Sequence, residues 1–320
     1  MDNFKFEASS ETVINSLFTK REGETKLGER VSWEMLPMTR FVLLGIQEDI
    51  GPQTNLGNEG SKNAFIPAIK KFLNMQSNRF LDGNEVYFLG TISQNCNFKS
   101  IEDGEKLVLE LDELISNLLV PVFKQGMTPI IIGGGHNNAY PILKSQFTAT
   151  TQKLEVVNLD PHADCRALEG RHSGNPFSYA TINGYLEHYS VLGLHKGYNN
   201  AAIYSFLDEH QYFYRFFEDY LDNAALFEKD IDTVCQPTAI KLGIELDLDA
   251  IKNMPSSAFT PSGFTIEEAR IFIRKLAQSN RKIAYLHIPE GAPIGKKEEL
   301  LVGKTISYLI YDFITSELSK

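Results

Sequence analysis

Residues 154–166 read LEVVNLDPHADCR, a short apolar run that leads directly into a cluster of polar side chains. Similar runs, rich in Val, Ile, Leu or aromatic residues, recur along the chain. The others are FVLLGI (41–46), EVYFLG (85–90), PIIIGG (129–134), YSVLGL (189–194), IKLGIELDLD (240–249) and KIAYLHI (282–288). Such runs are typical of strands that are buried on both faces, as in a parallel sheet.

Longer amphipathic stretches lie between these runs. Residues 106–125 space their apolar side chains as a helix does, and the sequence TIEE at 265–268 matches the capping-box pattern of a helix start. Alternating strands and helices predict a single doubly wound α/β domain with three layers and a mainly parallel sheet. We assign this domain to residues 41–320 and regard residues 1–40 as an N-terminal extension.

Polar clusters follow four of the predicted strands. They are GGGHNN (133–138), DPHADCR (160–166), DLDAI (247–251) and PEGAP (289–293). In a doubly wound sheet, ligands bind outside the carboxyl ends of the strands. We therefore expect the four clusters to converge at one edge of the sheet.

Composition narrows the classes of partner. The chain of 320 residues carries a formal net charge of −10, which argues against binding to nucleic acid or to an anionic membrane surface. Three scattered cysteines do not make a disulfide framework or a cysteine-rich zinc site. The N-terminus lacks the pattern of a signal peptide, and no apolar stretch reaches the ~18 residues of a spanning helix. A cytoplasmic location is the expectation.

Asp160, His162 and Asp164 place three possible metal ligands at alternate positions. In an extended segment, such side chains point to one side. Two buried carboxylates repel one another and are costly to desolvate, and a divalent cation removes both problems. The same residues also fit a helix-capping aspartate beside a surface histidine and a solvated aspartate, so the motif alone does not decide between the two interpretations.

Two further clusters supply the same types of donor. Asp247 and Asp249 follow another apolar run, and His136 follows three glycines that allow a sharp backbone turn. Taken separately, each of these clusters is more often structural. Together with the DPHAD segment, they make a set of four carboxylates and two imidazoles, which suits Mn²⁺ or a similar metal. The number of donors predicts two ions with shared carboxylates.

These motifs resemble those of the ureohydrolase family, which comprises arginases, agmatinases and formimidoylglutamases. The family's Gly-Gly-x-His, Asp-x-His-x-Asp and Asp-x-Asp motifs match residues 133–136, 160–164 and 247–249, in the family's order, and the resemblance spans about residues 40–310. It implies an arginase-like fold with two Mn²⁺ ions. One ion would be bound by His136, Asp160, Asp164 and Asp247, and the other by Asp160, His162, Asp247 and Asp249. Glu245 is the alternative to Asp249, because Glu245-Leu246-Asp247 has the same spacing.

The resemblance also implies roles around the metals. Glu290 matches the late family glutamate that contacts the amidine or guanidine group, and Asp164 would pass a proton to the leaving nitrogen. The segment HSGNPF (172–177) resembles the family's substrate loop, which makes Ser173 and Asn175 candidate substrate ligands. His172 is a candidate proton shuttle or an exposed loop histidine. Arg166 would hold a substrate carboxylate or form an ordinary ion pair.

The loop LHKGYNN (194–200) occupies the place where arginases carry acids that hold the substrate's α-amino group. This chain has no acid there, and we assign Asn199 to substrate binding instead. Two further positions depart from the family: Asn58 replaces an arginine, and His287 stands where an acid is common. Together with Ser173, these departures point to an altered substrate pocket.

The resemblance to the formimidoylglutamase branch implies a hydrolase of histidine metabolism that cleaves N-formimidoyl-L-glutamate to glutamate and formamide. An alternative is a guanidino hydrolase of the arginase or agmatinase type, which releases urea. An alternative of another class is a metal-binding protein on the same fold without turnover. The expected partner is a small-molecule substrate, and the family's trimers and hexamers imply a possible homo-oligomer.

Overall fold

The computed structural model describes residues 3–320, and its centre is one sheet in the order β1-β3-β2-β4-β9-β8-β5-β6-β7. The strands are β1 (Phe4–Ala8), β2 (Phe41–Gln47), β3 (Val86–Gln94), β4 (Thr128–Ile132), β5 (Leu154–Leu159), β6 (Leu186–Leu194), β7 (Phe213–Phe216), β8 (Leu242–Leu246) and β9 (Ile283–Ile288). All pairings among β2 to β9 are parallel, and β1 pairs antiparallel with β3. The prediction of a mainly parallel sheet is confirmed.

Helices cover both faces of this sheet. They are α1 (Glu11–Leu17), α2 (Ile50–Thr54), α3 (Phe65–Leu73), α4 (Ile101–Lys124), α5 (Ala139–Thr150), α6 (Pro176–Ile182), α7 (Ala201–Glu209), α8 (Phe217–Asp222), α9 (Ala225–Val234), α10 (Ile266–Gln278) and α11 (Lys296–Leu318). One apolar core joins the sheet to α3, α10 and α11, and a second core joins its other face to α4, α5, α6 and α7. The arrangement has the three layers expected of a doubly wound α/β fold.

The predicted capping box is present at the start of α10. The Thr265 hydroxyl accepts from the Glu268 backbone N–H, and the Glu268 carboxylate accepts from the Thr265 N–H. Both bonds satisfy helix-end donors that would otherwise lack partners. Within residues 3–320, no helix has the length and apolar character needed to cross a membrane.

The segment before residue 41 packs into the same domain. Strand β1 pairs with β3 from Phe4 opposite Gln94 to Ala8 opposite Gly90, and Ile14 of α1 lies in the first core. Residues 3–40 thus contact the sheet and core through β1 and through buried apolar side chains of the α1 region, whereas Trp33, Met35 and Met38 are exposed. Met1 and Asp2 of the expected extension lie outside the described residues.

The strand order explains how the polar clusters meet. Strands β4, β9, β8 and β5 are four consecutive neighbours in the sheet, and all of them run parallel. Their carboxyl ends therefore lie side by side at one edge. These ends carry the four clusters GGGHNN, PEGAP, DLDAI and DPHADCR, which the chain separates by up to about half its length.

Candidate metal centre

His136 lies at the centre of the converging clusters. Its Nδ1 atom is 3.2 Å from Oδ2 of Asp160, 2.9 Å from Oδ2 of Asp164 and 2.9 Å from Oδ2 of Asp247. A ring nitrogen carries at most one proton, so it cannot donate to three carboxylates at once. A cation at this point would satisfy all four groups, and their ligand atoms lie within 4.8 Å of one another. The donor set therefore fits a divalent metal.

Asp160 faces both histidines of the predicted set. Its Oδ2 lies near His136, while its Oδ1 is 3.5 Å from Nδ1 of His162. Asp249 also approaches His162, with its Oδ2 3.9 Å from the same nitrogen. The structure thus brings all six predicted ligands together, and the carboxylate of Asp160 is placed between two groups of donors, as a bridging ligand requires.

Local hydrogen bonds hold the carboxylates in these positions. The His162 backbone N–H donates to Asp160 Oδ1 at 2.7 Å, and the Asp249 backbone N–H donates to Asp247 Oδ1 at 2.7 Å. Asp164 has a φ of +50°, a left-handed conformation that costs free energy for a residue with a side chain. The two segments therefore aim their carboxylates inward through specific backbone turns.

The glycines before His136 let its loop pass close to Glu48, a buried residue to which no sequence motif points. Glu48 Oε1 accepts from the Gly135 backbone N–H at 2.6 Å and from the Asn138 amide at 2.9 Å. A Cβ atom on Gly134 would lie 2.4 Å from the Asn138 side-chain nitrogen and 2.9 Å from Glu48 Oε1. Gly134 is thus required by this close approach as well as by its φ of +70°.

The pKa values of the aspartates also fit a site that holds a cation. Burial, together with repulsion from Asp160, raises the pKa of Asp164 to about 6. Burial and repulsion from Asp249 raise the pKa of Asp247 well above its usual range. Burial also acts on Asp160, but His136 and His162 outweigh it and lower its pKa to about 2. Buried carboxylates this close together ionise together only when a cation compensates them.

Glu245, the alternative ligand, lies beneath the aspartates on β8. Its Oε1 accepts from the Tyr285 hydroxyl at 2.7 Å, and its Oε2 lies 2.6 Å from Nδ1 of His287. Burial raises the pKa of Glu245, but His287 and His136 outweigh this effect and lower the pKa to about 2. Both carboxylate oxygens thus have partners in this layer, whereas Asp249 lines the cavity above, and the assignment of Asp249 as the ligand stays a prediction.

Glu290 joins the metal cluster to the cavity above it. Its Oε1 accepts from the His136 backbone N–H at 2.6 Å, whereas its Oε2 is buried and has no hydrogen-bond partner among the described residues. Burial and the nearby Asp249 raise the pKa of Glu290 to about 8. An unpartnered carboxylate oxygen in this position can accept a hydrogen bond from a cationic ligand in the cavity.

A cavity of about 430 Å³ opens above the cluster. Arg166, Ser173 and Asn199 all line it, together with the predicted metal ligands His162, Asp164, Asp247 and Asp249. Arg166 donates through Nε to Glu169 at 2.8 Å. The side-chain oxygen of Asn199 accepts from the Ala163 N–H, and its amide donates to Pro161, so Asn199 also braces the DPHAD segment.

The structure does not bring His172 and Asn175 to this cavity. His172 is 4% exposed, its Nδ1 accepts from the Gly174 N–H, and its Nε2 lies 3.0 Å from the Asn175 amide. Burial and Arg166 lower the pKa of His172 to about 4. Asn175 in turn accepts from Arg171 and donates to the Gly170 carbonyl. The shuttle role of His172 and the substrate contact of Asn175 stay predictions.

Arg171 is a buried cation that sequence patterns missed. Its Nε donates to Asp112 of α4 at 3.0 Å, and its Nη2 donates to the Asn137 carbonyl at 2.8 Å. The guanidinium also lies over the rings of Tyr140 and Tyr179. Arg171 thus connects the substrate loop to the loop of His136. A pair separated by 59 residues gives no local signal in a single sequence.

Comparison with known protein families gives one match over most of the chain. The model of the Arginase family matches residues 39–311. A formimidoylglutamase of a Geobacillus species is 26% identical over 253 residues, covering 77% of this chain and 74% of that protein. A formimidoylglutamase of Hahella chejuensis is 30% identical over 180 residues, covering 52% of this chain and 51% of that protein.

Solved structures of proteins named formimidoylglutamase or formiminoglutamase share the fold of this chain. The structure of formimidoylglutamase from Bacillus subtilis superposes with a TM-score of 0.77 at 17% identity, covering 94% of each chain. The structure of Trypanosoma cruzi formiminoglutamase with Mn²⁺ gives a TM-score of 0.73 at 18% identity, covering 92% of this chain and 98% of that one. At such low sequence identities, the similarity establishes the shared fold alone.

Proposed function

The chain belongs to the arginase family, and we propose that it is a binuclear manganese hydrolase that converts N-formimidoyl-L-glutamate to glutamate and formamide. The names of its relatives support this substrate. The observation that carries the proposal is the approach of three carboxylates to the single Nδ1 atom of His136, an arrangement that a divalent cation would satisfy.

We assign one ion to His136, Asp160, Asp164 and Asp247, and the other to Asp160, His162, Asp247 and Asp249. Oxygen and imidazole donors without thiolate suit Mn²⁺, and the T. cruzi structure was solved with Mn²⁺. When bound, such a pair of ions lowers the pKa of a water molecule so that hydroxide is available near neutral pH.

The side chains around the ions bind the amidine and move the proton. Glu290 Oε2 accepts from the cationic formimidoyl group and fixes its carbon above the aspartates. Asp164 lies at the cavity floor, where it takes the proton released by water and delivers it to the leaving nitrogen. The water oxygen joins the formimidoyl carbon and the bond from that carbon to the glutamate nitrogen breaks. Both water protons end on that nitrogen, so glutamate leaves with an ammonium group and formamide is released.

The rest of the cavity favours this substrate over arginine. In N-formimidoyl-L-glutamate the α-nitrogen carries the formimidoyl group, so the substrate has no free ammonium to be held by an acid. The 194–200 loop accordingly offers the cavity Tyr198, Asn199 and Asn200 and no carboxylate. Arg166 and Ser173 line the same cavity, and we propose that they bind the substrate carboxylates.

A substrate screen with Mn²⁺-loaded protein tests the proposal. We expect formamide from N-formimidoyl-L-glutamate and loss of turnover in Asp164→Asn. Urea from arginine or agmatine would instead identify a guanidino hydrolase. Two bound Mn²⁺ ions without turnover of any substrate would identify the non-catalytic metal-binding protein. Fewer than one bound Mn²⁺ per chain, with no change in melting temperature, would contradict the metal centre itself.

We also propose a cytoplasmic location and self-association. All three cysteines are free, as a reducing compartment favours. The oligomeric proposal rests on the family resemblance, and light scattering of the Mn²⁺-loaded protein tests it. A single monomeric species at micromolar concentration would contradict it.

A further inference from the structure

A fully buried polar group lies directly beneath His136. It consists of Glu245 on β8 and of Tyr285 and His287 on β9, each with 0% exposure. Glu245 is the register partner of His287, and Tyr285 is two residues earlier on the same strand. Side chains at these positions of neighbouring strands face the same side of a sheet. The three residues therefore form one layer under the metal ligands.

The Glu245 carboxylate of this layer lies next to Nε2, the second ring nitrogen of His136. Nε2 of His136 lies 3.3 Å from Oε2 of Glu245, its near polar neighbour, and makes no hydrogen bond with any of the described residues. Nδ1, on the opposite edge of the ring, faces the aspartates. The imidazole therefore stands between the proposed metal position and a carboxylate that does not belong to the ligand set.

The two sides of the ring require different protonation. Nδ1 can bind a metal only through its free lone pair, and a neutral imidazole then carries its proton on Nε2. A buried N–H needs an acceptor, and Glu245 is the acceptor within reach. Metal-binding histidines commonly donate their other N–H to a carboxylate, which fixes the ring orientation and raises the basicity of the ligand nitrogen.

We propose that Glu245 is a positioning residue for the ion held by His136, and that Tyr285 and His287 hold its carboxylate in place. Glu245 accepts from Nε2 and so presents Nδ1 of His136 to the metal. Tyr285 and His287 supply two further donors at 2.7 and 2.6 Å, which offset the cost of burying a carboxylate. The inference rests on the proposed metal centre and not on the identity of the substrate.

The assignment also accounts for the departure at His287. A histidine on β9 and a glutamate on β8 pair across the two strands, with Nδ1 of His287 2.6 Å from Oε2 of Glu245, and this contact gives the buried carboxylate a donor. Such a pair makes Glu245 a supporting group, although its spacing before Asp247 resembles that of a ligand. Only one of the two ions is bound by His136, so the effect of Glu245 should be confined to that ion.

The test is a titration of metal-free protein with MnCl₂, followed by calorimetry, for the unchanged chain, Glu245→Gln and Tyr285→Phe. We expect Glu245→Gln to weaken one of the two Mn²⁺ sites about 10- to 100-fold and to leave the other site unchanged. Tyr285→Phe keeps the ring but removes one donor, so its loss should be smaller and confined to the same site. The melting temperature of the metal-free protein should fall in both variants, because each removes one partner of a buried polar group, so the test is whether the loss of Mn²⁺ affinity is confined to one site.

Glu155→Gln is the matched control. Glu155 lies at the start of β5, next to β8 in the sheet, and pairs with Arg281 at 2.7 Å. This variant should leave both Mn²⁺ affinities unchanged even where it lowers the melting temperature.

Unchanged affinities in Glu245→Gln, or equal weakening of both sites, would overturn the inference. If Glu245→Gln does not fold, Tyr285→Phe decides, and unchanged affinities there overturn the inference as well. Failure of the unchanged chain to bind two Mn²⁺ ions would instead remove the metal centre on which both proposals stand.

Discussion

The backbone N–H of His136 donates to Oε1 of Glu290 over 2.6 Å, which ties the carboxylate proposed to bind the amidine to a proposed metal ligand. Glu290 also has a φ of +66°, and its own N–H donates to the Gly134 carbonyl at 2.9 Å. The loops after β9 and β4 are thus joined by two hydrogen bonds in opposite directions. Such a connection would set the position of the proposed amidine-binding carboxylate relative to the proposed metal ligands.

We expect Glu290→Gln to lower kcat/KM for N-formimidoyl-L-glutamate about 10- to 100-fold. The amide removes a charge-assisted hydrogen bond, a contribution of about 1.5 to 3 kcal/mol. Mn²⁺ content should stay at two ions per chain, because Glu290 is not in the proposed ligand set. Steady-state kinetics and metal analysis check both parts. Loss of Mn²⁺ would show that Glu290 acts on the metals instead.

Asp249→Asn should abolish the binding of one Mn²⁺ ion, and Asp247→Asn should abolish the binding of both ions. Asp249 lies near His162, whereas Asp247 contacts His136 and is proposed to bridge. Metal analysis after dialysis distinguishes the two variants. Retention of two tightly bound ions in Asp249→Asn would contradict its assignment and return Glu245 as the candidate ligand.

Without metal, the free energy of unfolding should fall as the pH rises from 6.5 to 8. Burial and Asp249 raise the pKa of Glu290 to about 8 in the folded chain. Against the effect of burial, Asp160 raises the pKa of His162 to about 9. The folded chain therefore holds protons that the unfolded chain has released, and each such proton contributes up to about 1.4 kcal/mol per pH unit. Stability present at low pH is lost as the pH approaches these folded-state values.

Mn²⁺ should reverse this dependence, because its ligands bind in the deprotonated form and release protons. Melting temperatures at pH 6.5 and pH 8, with EDTA and with Mn²⁺, provide the comparison. The gain from Mn²⁺ should be larger at pH 8. A metal-free melting temperature that rises between the two pH values would contradict the proposed protonation of the site.

Arg171→Met should lower the free energy of unfolding by about 3 to 5 kcal/mol, since it leaves Asp112 buried and unpaired. The double variant Arg171→Met with Asp112→Leu should recover part of this loss. Denaturant unfolding measures both variants. Arg166→Met is the control, because its partly exposed ion pair with Glu169 contributes little to stability. An equal loss in the double variant would show that the charge pair is not the cause.

His172→Asn decides whether this histidine shuttles protons. Its ring lies outside the cavity, so we expect kcat to change by less than about tenfold, whereas loss of a general acid or base costs about 10²- to 10⁴-fold. Measurement of kcat at saturating substrate gives the answer. A fall of about 100-fold or more, with Mn²⁺ content unchanged, would establish the shuttle role.

Much of this protein follows from local patterns in its sequence. Apolar runs with polar ends predict buried parallel strands, because a strand that is apolar on both faces has to be covered by helices on both sides of the sheet. Parallel strands share one carboxyl edge, so the proximity of His136, Asp160 and Asp247 follows before any coordinates are known. The doubly wound fold is confirmed, and the six predicted ligands do lie together.

Only the tertiary structure decided how deeply each side chain is buried and which residues, distant in the chain, contact one another. Glu245 precedes Asp247 by two residues, the same spacing as between Asp247 and Asp249. Glu245 nevertheless lies inside β8 and contacts His287, 42 residues away. The union of β1 with β3 and the burial of Arg171 against Asp112 likewise depend on contacts between distant segments. Local sequence reports which side of a strand a residue occupies, whereas its depth and partners are set by the packing of the whole chain.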